Sequence, residues 1–309
     1  MRKACLESVY QLAKTDKRVV FIGSDIGAGT LDHFKKEMPD RFFMEGVSEA
    51  HLVGMMAGLA LSGKIPYFNT IATFITRRAF EQVLLDAGLH KLNIRFIGSG
   101  GGVVYAPLGP THLALEDIAV MRAIPGMTVL APCDAEEARR LMSQTLKHEG
   151  PIYIRLAKGG DPVVSREENP CVIGKSIVLR EGEDVLLVST GITAQLALAA
   201  ADLLKEKKIQ AGVLHFHTLK PFDVEGFVRQ AGKARVVIAV EEHTVIGGLG
   251  SAAAESLAEA NFKTSKKFKR IGFPDVFPHQ YGSQDFLMKK YGITAAETVR
   301  TAVDLLEKN

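Results

Sequence analysis

The sequence predicts two consecutive three-layer α/β domains with mainly parallel sheets. Three observations predict it. Short apolar runs that end in glycine or polar residues alternate with stretches of helical apolar spacing along the whole chain, the pattern of helices layered on parallel strands. The 309 residues are enough for about two domains at roughly 150 residues each. The alternation breaks once, at residues 157–173, where Gly159-Gly160-Asp161-Pro162, several charges and Asn169-Pro170 follow one another, a composition suited to a connection. The division expected is residues 1–165, a linker at 166–180, and residues 181–309.

Taken in order, residues 2–13 carry Ala4, Leu6, Val9 and Leu12 at helical spacing. Val19–Gly23 is an apolar run closed by glycine and reads as a buried strand. Phe42-Phe43-Met44 is extended and enters a helix at residues 48–61, lined with Gly54, Ala57, Gly58 and Ala60. Residues 65–68 predict a strand, 77–89 a helix, and 94–97 a strand running into Gly98-Ser99-Gly100-Gly101-Gly102. A helix is expected at 113–123, a strand at 127–131, a helix at 134–147 capped by Asp134, and a strand at Ile152–Leu156. Beyond the connection, strands are expected at Val185–Ser189, Ala211–His215 and residues 236–240. Helices are expected at Thr193–Glu206 and at residues 224–231, 249–260 and 295–308.

Composition narrows the function classes. Apolar residues are 47% and charged residues 24%, a globular balance that excludes disorder, collagen and coiled coil. A net charge of +3, spread along the chain, gives no basic stripe for nucleic acid. Cys5, Cys133 and Cys171 are odd in number and far apart, so neither a disulfide framework nor a zinc motif is indicated. The N-terminus lacks the apolar stretch of a signal peptide, and residues 52–61 are far short of a membrane span of ~20 residues. A cytoplasmic protein is expected.

Four motifs carry possible chemistry. Gly46-Val47-Ser48-Glu49 places a carboxylate in a first helical turn, with Ser48 as candidate cap. The dipole favours a carboxylate there for stability alone; the functional reading is proton exchange with a ligand nitrogen. The glycine run at 98–102 is either a flexible loop or a close approach of backbone to a ligand. Gly109-Pro110-Thr111-His112 fixes a turn and sets a histidine at an expected helix start, where the protonated form is disfavoured; a plain surface histidine is the alternative. Gly247-Gly248-Leu249-Gly250, after Glu242-His243, reads as a tight strand–helix turn, with an anion cradle as the alternative. His215 and His217 alternate as a metal pair would, but spacing suggests no third ligand, and no metal is assigned.

In this order and spacing, these stretches resemble the C-terminal half of transketolase. Arg2-Lys3-Ala4 resembles the Arg-Lys-Ala opening of the family's pyrimidine-binding domain, and Gly23-Ser24-Asp25-Ile26 its Gly-Ser-Ala-Asp-Leu. Gly46-Val47-Ser48-Glu49 is similar to Gly-Val-Arg-Glu, and Gly109-Pro110-Thr111-His112 to Gly-Pro-Thr-His. Pro125-Gly126-Met127 with Ala131-Pro132-Cys133-Asp134 resembles Pro-Asn-Met followed by Arg-Pro-Cys-Asp. Thr190-Gly191-Ile192 and Glu241-Glu242-His243 resemble the C-terminal domain. The resemblance implies a pyrimidine-domain fold followed by a transketolase C-terminal-domain fold, and thiamine diphosphate chemistry in which the cofactor is the electron sink.

By that resemblance Glu49 is the glutamate that hydrogen-bonds the aminopyrimidine and promotes its imino tautomer, desolvated and with a raised pKa. His112 contacts donor oxygens, and Arg2 binds the acceptor phosphate. Phe74 and Ile75 are the expected contacts to the pyrimidine, a core phenylalanine being the competing reading for Phe74. Lys158 stands where the family has a phosphate-binding arginine and keeps the charge without the fork. The family's Gly-Asp-Gly diphosphate and Mg2+ or Ca2+ site has no counterpart in the sequence. The expectation is therefore a split enzyme. A separate N-terminal transketolase subunit holds the diphosphate and metal, and homodimers of this chain join two such partners in a heterotetramer. Leu108, Gly100 and Gly29 stand where the family has an acidic residue, a histidine and a serine, which implies a non-standard sugar or sugar-phosphate substrate. The rivals are a 1-deoxyxylulose-5-phosphate synthase-like subunit, a 2-oxo acid dehydrogenase beta-like subunit, and an inactive regulatory subunit.

Overall fold

The computed structural model describes residues 1–24 and 29–307. Asp25 and Ile26, part of one motif above, lie outside the described residues, as does Lys308. The first domain runs α1 (Arg2–Thr15), β1 (Val19–Gly23), α2 (Asp32–Glu37), β2 (Phe42–Met44), α3 (Glu49–Leu61) and β3 (Ile65–Ile71). Two π-helical turns, Phe74–Arg78 and Val83–Leu89, flank the short α4 (Phe80–Gln82). Then come β4 (Arg95–Ser99), α5 (Asp117–Ala123), β5 (Thr128–Leu130), α6 (Ala135–Thr145) and β6 (Ile152–Leu156). The second domain runs β7 (Ile177–Arg180), β8 (Val185–Ser189), α7 (Thr193–Glu206), β9 (Ala211–His215), β10 (Thr218–Lys220), α8 (Val224–Lys233) and β11 (Val236–Thr244). α9 (Leu249–Glu259), β12 (Lys267–Phe273), α10 (Gln284–Lys290) and α11 (Ala295–Glu307) complete it.

The first sheet has seven strands in the order β10-β5-β6-β4-β3-β1-β2, and the second has five in the order β12-β11-β8-β9-β7. Pairing is parallel except at β10 and β7, which run antiparallel to β5 and β9. Every residue of β1, β3, β4, β6, β8 and β9 is buried, because helices cover both faces of the sheets; that is why these strands read as unbroken apolar runs. β10 crosses from the second domain to the edge of the first sheet, pairing Thr218 with Leu130 and Lys220 with Val129. Each of the two hydrophobic clusters likewise draws on both domains, Ile97 with Leu187 in one and Phe96 with Phe216 in the other.

Several expectations are corrected. The helix expected at 77–89 is π-turned and broken at α4. The helix expected from residue 113 starts only at Asp117, because Ala114 forms a bridge with Gly102. Residues 177–180, inside the expected linker, form β7. Asp134 does cap α6, accepting from the Glu136 and Glu137 N–H groups. Among the described residues no helix is long and apolar enough to cross a membrane.

Candidate active site

α3 opens with Glu49, whose side chain is only 1% exposed. Ser48 occupies the cap position but its side chain makes no cap hydrogen bond. The carboxylate is held from two sides. Arg78 Nη1 donates to Oε2 at 2.8 Å, and Thr70 on β3 donates to Oε1 at 3.4 Å. Ser24 at the end of β1 donates in turn to Thr70 at 3.1 Å. Oε1 thus carries one long hydrogen bond among the described residues and is the less firmly held of the two oxygens. The same Arg78 guanidinium lies 4.3 Å over the Phe74 ring, and Phe74 meets His112 edge-on at 5.3 Å between ring centroids. The structure therefore brings Glu49, Phe74 and His112 into one continuous group, with Arg78 as the joint. Sequence reasoning missed Arg78; the first π-turn carries it and Phe74 on one side.

A buried carboxylate held by Arg78 and Thr70, with Phe74 on the far side of the same guanidinium, fits the aminopyrimidine end of thiamine diphosphate. Ile75 does not belong to that surface. It is fully buried in the core cluster with Leu52 and Phe96, so its expected contact with the cofactor is corrected: the π-turn directs residue 75 inward where it directs residue 74 out.

His112 ends a single 3-10 turn, Pro110–His112, entered through Gly109 at φ +78. No α-helix begins there, so the helix-dipole argument made for this histidine does not apply. Its Nδ1 is engaged with Thr111 Oγ1 at 2.9 Å, which leaves Nε2 for a ligand.

Arg2, Gly100, Leu108 and Lys158 converge. Together with Tyr105 and Pro107 they line one cavity of about 210 Å³. An adjoining groove of about 610 Å³ adds Lys3, Gly29 and Thr30. Leu108 is 49% exposed and so presents its side chain to solvent or ligand. Gly100 has φ +76, and a Cβ there would sit 2.1 Å from the Tyr105 ring. The space a larger side chain would use is filled by Tyr105, a second residue that sequence reasoning missed.

The glycine runs approach the protein's own side chains. A Cβ at Gly101 would strike Arg155 at 2.5 Å, and one at Gly102 would strike the Glu242 carboxyl at 2.4 Å. Arg155 Nε donates to Asp117 at 2.8 Å and its Nη2 to the Glu242 carbonyl at 2.7 Å. Glu242 Oε1 accepts from Val103 N–H at 2.9 Å and from Gln284 at 2.8 Å. Burial pushes the Glu242 carboxyl up to about 7, against the pull of Arg155. The anion cradled by Gly248-Leu249-Gly250 is likewise internal. Glu241 accepts from Leu249 N–H at 2.7 Å and Gly250 N–H at 2.8 Å, at the positive end of α9.

Comparison with known proteins accords with this geometry. Residues 1–160 match the transketolase pyrimidine binding domain and residues 174–297 the transketolase C-terminal domain. The chain is 40% identical to a 6-deoxy-6-sulfo-D-fructose transketolase subunit of Clostridium sp. strain MSTE9, covering 100% of this chain and 95% of that protein. It is 36% identical to a subunit of the apulose-4-phosphate transketolase of Phocaeicola vulgatus, covering 99% and 97%. A solved structure described as a split gene transketolase, inactive beta4 tetramer, superposes with a TM-score of 0.90 at 37% identity, covering 99% of this chain and 97% of that one. With both domain models matched in order and relatives covered almost end to end, the chain belongs to the transketolase family.

Proposed function

We propose that this chain is the pyrimidine-side subunit of a two-chain transketolase, active with a separate chain that holds the diphosphate and a divalent cation. It transfers a ketol unit from a ketose donor to an aldose acceptor, one of which ends in a phosphate or sulfonate. The observation that carries this reading is the group formed by Glu49, Phe74 and His112, joined through Arg78, with Glu49 buried. The relatives covered almost end to end are described as subunits, which supports a partner chain. The three cysteines are free, which suits a reducing, cytoplasmic setting.

Bound thiamine diphosphate supplies the electron sink for breaking and making the carbon–carbon bond. Glu49 Oε1 hydrogen-bonds the ring nitrogen and exchanges a proton with it, in a site closed to water by Thr70, Ser24 and Arg78. Phe74 packs against the ring edge. His112 Nε2 steadies the donor oxygens near the reacting carbon. Arg2 and Lys158 place two cations on one cavity, where they hold the anionic end of the sugar. Leu108 and Tyr105 make that cavity less polar than an acidic residue and a histidine would, which favours an acceptor or donor with fewer hydroxyls at that point.

The test is reconstitution with a diphosphate-binding transketolase chain and a screen of ketoses ending in phosphate, sulfonate or hydroxyl. Ketol transfer without release of carbon dioxide is expected. Glu49→Gln should lower turnover by at least about 100-fold. Turnover within a few-fold of the original would remove Glu49 from its assigned role, and carbon dioxide released from pyruvate would favour the decarboxylating reading.

A further inference from the structure

Two cysteines, two histidines and a glutamate that the candidate active site leaves unused meet at the seam between the domains. Cys133 follows β5, Glu137 lies in the first turn of α6, and Cys171 sits in the connecting segment. His215 ends β9, and His217 directly precedes β10. Ligand atoms of Cys133, Glu137 and His215 all lie within 4.8 Å of one another, as do those of Glu137, Cys171 and His217. Glu137 belongs to both triads. Sequence spacing did not reveal the missing ligands of the two histidines because they come from the other domain and the connection.

Two atoms in this cluster have no hydrogen-bond partner among the described residues: Glu137 Oε1 and His217 Nε2. Both side chains are at least 99% buried, a setting in which polar atoms are ordinarily satisfied. The other atom of each is engaged. Glu137 Oε2 accepts from Cys133 N–H at 2.7 Å and meets His215 Nε2 at 3.1 Å. His217 Nδ1 meets Thr218 Oγ1 at 2.9 Å. When Nδ1 carries the proton and donates it to Thr218, Nε2 presents its lone pair. Two buried acceptors then share the cluster with the Cys171 thiol.

We propose that this cluster is a structural site for a divalent cation of the zinc class, ligated by Cys171 Sγ, His217 Nε2 and Glu137 Oε1, with the fourth position left to solvent. Thiolate, imidazole and carboxylate are the donors such an ion takes. A tetrahedral shell with bonds of about 2.0–2.3 Å sets its ligand atoms about 3.3–3.8 Å apart, so atoms that lie within 4.8 Å of one another need contract by no more than about 1.5 Å on binding. Thr218 and His215 act as the outer shell, fixing the imidazole tautomer and the carboxylate. Binding displaces the thiol proton of Cys171 to solvent. One thiolate and one carboxylate neutralise the ion. The guanidinium of Arg140, whose Nε and Nη2 are buried without partners among the described residues, lies beside the same cluster. Its Nη1 already pins the connection, donating to the Arg166 carbonyl at 2.6 Å. The ion would clasp α6, the connecting segment and the end of β9, and it shares no residue with the active-site group.

The test uses the full chain, dialysed against chelator and titrated with cobalt(II) alone. One equivalent is expected to bind per chain, with a thiolate-to-cobalt charge-transfer band and the visible bands of a tetrahedral ion, both bleached by one equivalent of zinc(II). Cys171 is only partly buried, so Cys171→Ser should fold, as checked by circular dichroism, while losing the charge-transfer intensity of that thiolate and at least about tenfold in affinity. Cys5→Ala, in the core of the first domain, should keep the spectrum. A folded wild-type chain that gives no charge-transfer band overturns the proposal, because the cluster then holds only water. A band that survives unchanged in Cys171→Ser overturns it equally. Neither readout depends on ketol transfer, so failure here leaves the catalytic reading untouched.

Discussion

Gly100 combines two constraints: a left-handed backbone at φ +76 and a Tyr105 ring where its Cβ would be. Gly100→Ala should therefore destabilise by about 2–4 kcal/mol, roughly 1 from the backbone and the rest from overpacking. The double variant with Tyr105→Ala should recover the packing share, measured as a coupling by denaturant unfolding; equal losses in single and double variants would place the strain elsewhere. Glu242 gives a prediction in pH. Its carboxyl is raised from an ordinary value of 4.5 to about 7 by burial, with Arg155 and Asp117 as the charges facing it. The folded state thus holds a proton that the unfolded state has released between those values. Its contribution is fully present below about pH 4.5 and is lost as pH rises through about 7. Stability of the wild type relative to Glu242→Gln should fall by at most about 3 kcal/mol between pH 4.5 and 7.5; a pH-independent difference would show that the carboxyl is ionised throughout. The sequence singled out Glu49, Phe74, His112, Arg2 and Lys158 because each sits in or beside a short motif. Arg78 and Tyr105 were not legible, since neither belongs to a motif and each acts by touching one. Ile75 was misplaced because a π-turn shifts which residues share a face.

At the scale of elements, β1, β6, β8 and β9 were readable to the residue, since strands buried on both faces leave a run with no polar interruption. β12 was not: at the sheet edge its Lys267 is half-buried and its Lys269 and Arg270 are exposed, so charge hides the strand. β10 was not either, because three residues carry no period and their partner β5 lies in the other domain. The turn before α9 was legible as a shape but not in its occupant. Gly248 and Gly250 look like an anion cradle, and the anion is Glu241, brought round by the turn between β11 and the helix. A side chain at Gly248 would come within 2.1 Å of that carboxylate. Burial still pushes the Glu241 carboxyl up, opposed by His243 and by the two N–H donors. Glu241→Gln keeps one acceptor and loses the charge at the helix end and the second acceptor. It should destabilise by about 1–3 kcal/mol, with hydrogen exchange accelerating first in the opening turn of α9. Unchanged exchange there would mean the cradle does not hold the helix.

At the scale of the molecule, the two domains behave as one body. β10 extends the first sheet, Arg155 ties Asp117 to Glu242, and both hydrophobic clusters cross the seam. Several exposed apolar residues lie away from that seam. Leu61 and Leu89 are each 71% exposed, with Val47 at 57% and Leu85 at 44%. They sit on or beside α3 and on the π-turn Val83–Leu89, which pack against each other, and α3 also carries Glu49. On the proposed function, an apolar face on the helix that carries Glu49 is where a second subunit would both cover hydrocarbon and close the site. Leu89→Glu and Leu61→Glu should each leave the secondary structure intact by circular dichroism while lowering the mass of the assembly in sedimentation, because a buried charge without a partner is strongly unfavourable at an interface. Reconstituted activity should fall in step with assembly, as the cofactor's pyrimidine end loses its second wall. A variant that keeps its mass and its turnover would show that this face is open in the working enzyme, and that the partner docks through another surface.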